Sequence, residues 1–238
     1  MLMRGLLLAT VFLAGASLMS LEMTGFRLVQ PQFGSDIIVW GSLISIFLGG
    51  LSLGAFVGGW VADRGPRLVI LGGILLAAGT VVLVLALPLL PGHGAGAERD
   101  SLADRVMTWF FPGEGAPLPD ASTDDGRLVV YQPPDLRWPT LAVGAALFGL
   151  PALLLGTVTP YTARLFIHSL GRVGAGVGKL SGASTVGSIA GTLGTAFYLV
   201  TWLGTQWLLI SNGLLLVGLG LVLTAADAAT RSRPADAA

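Results

Sequence analysis

Residues 68–90 read LVILGGILLAAGTVVLVLALPLL, 23 residues without one charged side chain. An α-helix rises 1.5 Å per residue, so about 20 apolar residues cross the ~30 Å hydrocarbon core of a bilayer. The run is long enough to span a membrane, and it is far longer than a strand of a soluble sheet. This stretch therefore predicts a transmembrane helix.

Five further runs of the same kind occur, near residues 2–28, 37–62, 140–167, 174–200 and 206–226. Charged residues make up 11% of the 238 residues and hydrophobic residues 53%, and the mean hydropathy is +0.80. A typical soluble domain carries about 25% charged residues. We expect an all-α integral membrane protein with six transmembrane helices in a 3+3 order. The first run also resembles a secretory signal peptide, but its apolar residues continue past residue 15 and favour a retained span.

This order predicts four regions. Residues 1–90 hold helices one to three, 91–139 form a long loop, 140–227 hold helices four to six, and 228–238 form a tail. Cytoplasmic loops are enriched in Lys and Arg. With the N-terminus inside, eight of the 13 basic residues are cytoplasmic: Arg4, Arg64, Arg67, Arg164, Arg172, Lys179, Arg231 and Arg233. We therefore expect both termini in the cytoplasm and the long loop outside.

The long loop is acidic, with eight Asp or Glu residues against four Arg residues. Residues 101–111 read as a short amphipathic helix whose Trp and Phe suit a membrane interface. Gly92, Gly94 and Gly96 form a GxGxG run. They follow a predicted membrane span rather than a strand, so they do not predict a nucleotide site. The loop is interpreted as a lid on the outer membrane surface.

Several functional classes are disfavoured by the composition. The 13 basic and 13 acidic residues balance, so no nucleic-acid partner is expected. The chain has no cysteine and two distant histidines, which predicts no metal site. No cofactor is expected, and no nucleophile–base pattern indicates an enzyme.

Glycines recur at helical spacing in the second and fifth spans. The second span carries Gly50, Gly54 and Gly58, and the fifth carries Gly182, Gly187 and Gly191 among several serines and threonines. A bare backbone face lets a neighbouring helix approach closely. We interpret these residues as helix-packing positions. The alternative is that the two helices slide past each other and line a path.

The turn between spans two and three contains Gly59, Asp63, Arg64 and Arg67 in the pattern G-x-x-x-D-R-x-x-R. This pattern resembles the cytoplasmic loop signature of the major facilitator superfamily, and six spans resemble one half of that fold. The resemblance implies a gating role for Asp63, Arg64 and Arg67. The alternative is ordinary positive-inside anchoring together with a helix cap.

A second resemblance covers nearly the whole chain. The segments SLEMTGFRL (20–28), ADR (62–64), TPYTARL (159–165) and GASTVGS (182–188) are similar to the membrane region of bacterial fused transporter–spermidine synthase proteins. The resemblance implies a bacterial inner-membrane location. The aminopropyltransferase domain of those proteins has no counterpart here, so their enzymatic activity is not expected.

Glu22 is the prominent ionisable residue inside a predicted span. A charge at the centre of a bilayer costs roughly 3 kcal/mol on insertion scales and is usually functional. Glu22, with Arg27 nearby, is a candidate for binding a cationic substrate or a proton. The alternative is a structural ion pair between Glu22 and Arg27.

Two functions remain open from the sequence. One is a transporter-like protein for a polyamine or another small cationic solute. Half of a major facilitator fold does not enclose a path, so a homo-oligomer or a membrane protein partner is expected within the bilayer. The other is a non-transporting accessory subunit of a larger membrane complex, or a membrane anchor for a separate enzyme.

Overall fold

The structure, a computed structural model, describes residues 2–87, 137–167 and 173–231. These residues are helical apart from short turns, and no strand occurs among them. Five of the helices are long and apolar enough to cross a membrane. For the described residues, the prediction of a helical, multi-pass membrane protein is thereby confirmed. The predicted loop helix at 101–111, the GxGxG run and the last residues of the tail lie outside the described residues.

The elements follow one another in simple order. They are α1 (Leu2–Phe33), α2 (Ile37–Asp63), α3 (Leu68–Ala86), α4 (Arg137–Gly144), the π-helical turn π1 (Ala145–Gly149), α5 (Leu150–Phe166), α6 (Val173–Gly194), the π-helical turn π2 (Thr195–Leu199) and α7 (Val200–Arg231). The elements α4, π1 and α5 form one continuous apolar stretch, Arg137–Phe166. The elements α6, π2 and α7 follow one another without a gap, but the helix is broken at Gly204 inside α7.

The turn between α1 and α2 is set by two local signals. Gly34 has a φ of 79°, and its N–H donates to the carbonyl of Gln30 at 2.8 Å. A glycine in the left-handed region is a common helix end. Asp36 precedes α2, and its Oδ1 accepts from the N–H of Ile38 at 3.4 Å, which is an N-cap contact. Because Gly34 ends α1, this helix runs to Phe33 and is longer than the predicted 2–28.

The last two predicted spans form one helical stretch, Val173–Thr230, of 58 residues. A straight helix of that length would measure about 87 Å, several times the thickness of a hydrocarbon core. The stretch is interrupted at Gly204, whose φ of 70° and ψ of 168° are not helical. Gly204 lies between residues 200 and 206, where the sequence placed the separation of the two spans.

The helices pack in three pairs: α1 on α6, α2 on α5, and α3 on α7. In the first two pairs, the residue numbers of the contacting positions increase together along the two helices. Phe12 meets Gly187 and Ala16 meets Gly191, for example. These pairs are therefore parallel. In the third pair Gly72 meets Gly220 and Gly79 meets Gly213, so α3 and α7 are antiparallel.

The apolar core lies between these pairs. Its largest buried side chains include Leu21 of α1, Phe47 of α2, Leu75 of α3 and Phe148 of π1. The rings of Phe47 and Phe148 stack with centroids 5.7 Å apart. Many large apolar side chains instead point outward, among them Phe56, Trp202 and Leu214. An apolar exterior is what contact with lipid requires.

Candidate functional site

The turn that carries the Asp63–Arg67 motif lies against the end of α5. Asp63 is the last residue of α2, and its Oδ1 is 3.6 Å from Nε of Arg164. Both side chains are largely exposed, at 74% for Asp63 and 58% for Arg164. An exposed ion pair of this kind contributes about 0–1 kcal/mol. The contact therefore orients the turn more than it stabilises it.

Tyr161 holds the other end of the same turn. Its side chain is fully buried, and its hydroxyl accepts a hydrogen bond from the N–H of Arg67 at 2.9 Å. The same hydroxyl donates to the carbonyl of Arg67 at 3.2 Å. Arg67 precedes α3 and offers no side-chain cap to that helix. One phenol thus satisfies two backbone groups at the start of α3.

The two arginines of the motif, Arg64 and Arg67, do not form an ion pair with α5 as Asp63 does. The guanidinium of Arg64 lies over the ring of Trp60, 3.1 Å from its centroid, and Nη1 donates to the Trp60 carbonyl at 3.2 Å. Arg64 is thus folded back on its own helix. The exposed side chain of Arg67 has no partner within the described ranges, and its observed role is carried by its backbone.

The sequence did not predict that Tyr161 and Arg164 contact the Asp63–Arg67 turn. Both lie in the segment 159–165, which the sequence singled out only for its family resemblance. A tyrosine near the end of an apolar helix is a usable signal, because a buried hydroxyl generally has a hydrogen-bond partner. Which backbone groups it would contact was not readable, since 94 residues separate it from Arg67.

Glu22 lies on α1 and is half-buried, whereas Arg27 is exposed. No ion pair joins the two in this fully described helix. Five residues correspond to a rotation of about 140° around a helix, so the two side chains leave α1 in different directions. The proposed structural pair is therefore not formed, and Glu22 is left available for another partner.

A buried polar cluster lies close to Glu22 in sequence but was not predicted. Ser20 of α1 accepts hydrogen bonds from Oγ1 of Thr195 at 2.8 Å and from Nδ2 of Asn212 at 2.9 Å. All three side chains are buried. Asn212 also donates to the Leu208 carbonyl at 2.8 Å. The cluster ties α1 to π2 and α7, and the signal for it was an asparagine within an apolar helix.

The glycines of α2 lie where a close helix contact requires them. A Cβ on Gly50 would lie 2.6 Å from Cβ of Ala152, and one on Gly58 would lie 2.7 Å from Cα of Thr157. A Cβ on Gly54 would overlap the Leu153 carbonyl. Their partner is α5, so these residues contact the fourth predicted span and not the fifth.

The fifth-span glycines divide into two groups. A Cβ on Gly187 or Gly191 would overlap the carbonyl of Phe12 or Ala16 of α1. Gly182 differs, because a Cβ there has nothing within 4 Å among the described residues. Gly182 therefore has no packing partner within this part of the chain, and its role as a packing residue stays a prediction. The alternative in which the glycine faces of spans two and five slide on each other is not observed, because those faces pack on α5 and α1.

A cleft of about 620 Å³ lies between α2, α5 and α6. Its lining is uncharged and consists of Leu51, Ser52, Ala55, Gly156, Thr159, Pro160, Ala163, Val177 and Leu180. Ala163 directly precedes Arg164, so the cleft ends near the Asp63–Arg164 pair. Across the described helices, no group of three or more His, Asp or Glu side chains is arranged to hold a metal ion.

Comparison with known proteins gives one informative match. Over 78 residues, 32% of this chain, the sequence is 42% identical to a triacylglyceride transporter of Mycolicibacterium smegmatis. The match covers 14% of that relative's length. No family model matches the chain, and no solved structure matches it. The chain is thus similar, over a third of its length, to a membrane transporter.

Proposed function

We propose that the protein is a transporter-like polytopic membrane protein. The observation that carries this proposal is the 42% identity over 78 residues to a protein named as a transporter. The long apolar helices, with their outward-facing apolar side chains, agree with it. A transporter is not an enzyme. It needs to bind a solute and to change its conformation.

The proposal includes six crossings with both termini cytoplasmic, as in half of a major facilitator fold. The helix pairs support it. The contacts are the same in both halves when α1, α2 and α3 are matched with α5, α6 and α7. Under this match the α1–α6 pair corresponds to the α5–α2 pair, and the α3–α7 pair corresponds to itself. Such internal symmetry is common in transporters. The antiparallel α3–α7 pair also agrees with a reversal of the chain at Gly204, near the start of α7.

A second six-helix unit, either another copy or a partner chain, completes the proposed path. Half of a major facilitator fold does not enclose a path alone. The uncovered glycines favour this part of the proposal. Gly174, Gly178 and Gly182 form a stripe on α6 with nothing within 4 Å among the described residues, and the same holds for Gly41, Gly49 and Gly59 on α2. Small residues are typical of close contacts between membrane helices.

The solute proposed from the resemblance to transporter–spermidine synthase proteins is a polyamine or another small cation. Glu22 would bind it or carry a proton, because its carboxylate lacks the arginine partner that would neutralise it. Arg27, at the exposed side of α1, would act near the solute's entry. Asp63, Arg64 and Arg67 would gate the path, since Asp63 and the Arg67 backbone are both held by α5.

The test is transport by the purified protein in liposomes. Uptake of radiolabelled spermidine above that of empty liposomes, together with a dimer or larger assembly in the same preparation, is expected. Gly178→Leu and Gly182→Leu should reduce assembly and uptake together. If the protein assembles with a co-purified membrane partner and moves no solute, the accessory-subunit alternative replaces the transporter proposal.

A further inference from the structure

The cleft between α2, α5 and α6 has the size and lining of a site for an uncharged, mainly apolar ligand. Pockets of roughly 300–1,000 Å³ with apolar walls and a few polar groups hold small molecules, and this cleft measures about 620 Å³. It is built from helices that are long and apolar enough to cross a membrane. Because no charged residue lines it, an ionised ligand would lose its hydration there without compensation.

Two hydroxyl groups of the lining have no hydrogen-bond partner among the residues that the structure describes. Ser52 and Thr159 both line the cleft, and neither bonds to another described residue. Some other helical hydroxyls bond back to their own helix, as Ser45 does to Gly41 and Thr185 does to Ser181. The hydroxyls of Ser52 and Thr159 are thus available to donate to an acceptor within the cleft.

The backbone carbonyl of Gly156 also lacks its usual hydrogen-bond donor. Pro160 lies inside α5 and has no N–H, so it does not donate to the carbonyl of Gly156, four residues earlier. Both residues line the cleft. A carbonyl that lacks its usual helical donor is costly in an apolar medium unless another donor reaches it, and a ligand hydroxyl would supply that donor. The cleft therefore offers two donors and one acceptor within an otherwise apolar wall.

We propose that this cleft binds an uncharged glyceride that keeps one free hydroxyl, such as a diacylglycerol. The acyl chains lie against Leu51, Val177 and Leu180. An ester carbonyl accepts from the hydroxyls of Ser52 and Thr159, and the free hydroxyl donates to the carbonyl of Gly156. The inference rests on the proposed transporter function only in treating this ligand as a possible cargo. Binding itself is measured without transport.

The test uses the full chain in phosphatidylcholine nanodiscs with a photoreactive dioleoylglycerol. Competition by unlabelled dioleoylglycerol gives an apparent Kd, and mass spectrometry locates the cross-links. We expect cross-links on the facing segments of α2, α5 and α6. Trioleoylglycerol, which lacks the hydroxyl, and anionic phosphatidylglycerol should each compete at least tenfold more weakly.

Matched variants separate the cleft from the general lipid surface. Ala55→Trp fills the cleft and should raise the apparent Kd at least tenfold, whereas Ala190→Trp, exposed on α6 outside the lining, should not. Ser52→Ala with Thr159→Val should raise it about tenfold, as expected for two lost hydrogen bonds. Thr185→Val is the matched control. If Ala55→Trp does not fold, judged by its unfolding temperature, Ala163→Phe replaces it.

The proposal is overturned if cross-links fall evenly over the lipid-facing surface, if Ala55→Trp and Ala163→Phe bind like the wild type, or if phosphatidylglycerol competes equally. Equal competition by trioleoylglycerol overturns the contact with Gly156. These outcomes are distinct from failure of the transporter proposal. Glyceride binding without any transport leaves the cleft assignment intact, and spermidine uptake without glyceride binding refutes the cleft assignment alone.

Discussion

The hydroxyl of Tyr161 accepts a hydrogen bond from the N–H of Arg67 and donates one to the carbonyl of the same residue, at 2.9 and 3.2 Å. This contact joins α5 to the start of α3 across 94 positions of the chain. One turn further along α5, Arg164 contacts Asp63 at the end of α2. The end of α5 thus contacts both sides of the Asp63–Arg67 turn.

Tyr161→Phe should lower the free energy of unfolding by about 1–3 kcal/mol, because the N–H of Arg67 loses its partner in a partly buried position. The Arg67 carbonyl keeps the N–H groups of Ile70 and Leu71. Unfolding in mixed detergent micelles, followed by circular dichroism, measures the change. Tyr198→Phe is the control, since that ring is 62% exposed. Equal stability of the Tyr161→Phe variant and the wild type would show that water replaces the hydroxyl.

Gly54→Leu and Gly191→Leu should disrupt folding, because the added side chain meets a backbone carbonyl of α5 or α1. Gly182→Leu provides the comparison, as it faces open space within the described chain. Its unfolding temperature should match that of the wild type, while its association with a second unit should weaken. Size-exclusion chromatography with light scattering separates the two effects. Normal folding of both Gly54→Leu and Gly191→Leu would contradict the packing described for α2 and α6.

Asn212→Leu should cost about 0.6–2 kcal/mol, the range measured for hydrogen bonds between membrane helices. A double-mutant cycle with Ser20→Ala isolates the contact between the two side chains. Thr192→Val serves as a control, because its hydroxyl bonds only within its own helix. Additive losses in the cycle would mean that the cluster does not couple α1 to α7.

Glu22→Gln should leave the unfolding temperature near that of the wild type, because no ion pair with Arg27 is lost. If Glu22 binds a cation or a proton, the same variant abolishes spermidine binding in a calorimetric titration. Arg27→Gln, alone or combined with Glu22→Gln, should also leave the unfolding temperature near that of the wild type. A Glu22→Gln protein that binds and transports like the wild type would remove Glu22 from the proposed site.

The predicted topology is testable with single cysteines, since the chain contains none. A cysteine at Ser122, in the predicted outer loop, should react with a membrane-impermeant maleimide on intact cells. A cysteine at Pro66, in the exposed turn after α2, should react only after lysis. The reverse labelling pattern would place the termini and the Asp63–Arg67 turn outside.

The sequence alone determined that the chain consists of membrane-spanning helices and approximately where they lie. Both properties are local, because about 20 apolar residues in a row suffice to cross the hydrocarbon core. The break near Gly204 was also readable, as a short interruption between two apolar runs. The extension of α1 to Phe33 was missed, since it depends on the left-handed backbone of Gly34.

Which residues meet was decided only by the tertiary structure. Gly182 and Gly187 belong to one glycine-rich run, yet five residues turn a helix by about 140°, so only Gly187 faces α1. Glu22 and Arg27 have the same spacing and no ion pair between them. The partnership of Tyr161 with Arg67 depends on how α5 lies against the α2–α3 turn. Apolar length is a property of one segment, whereas a contact requires the relative rotation of two helices, which no single segment encodes.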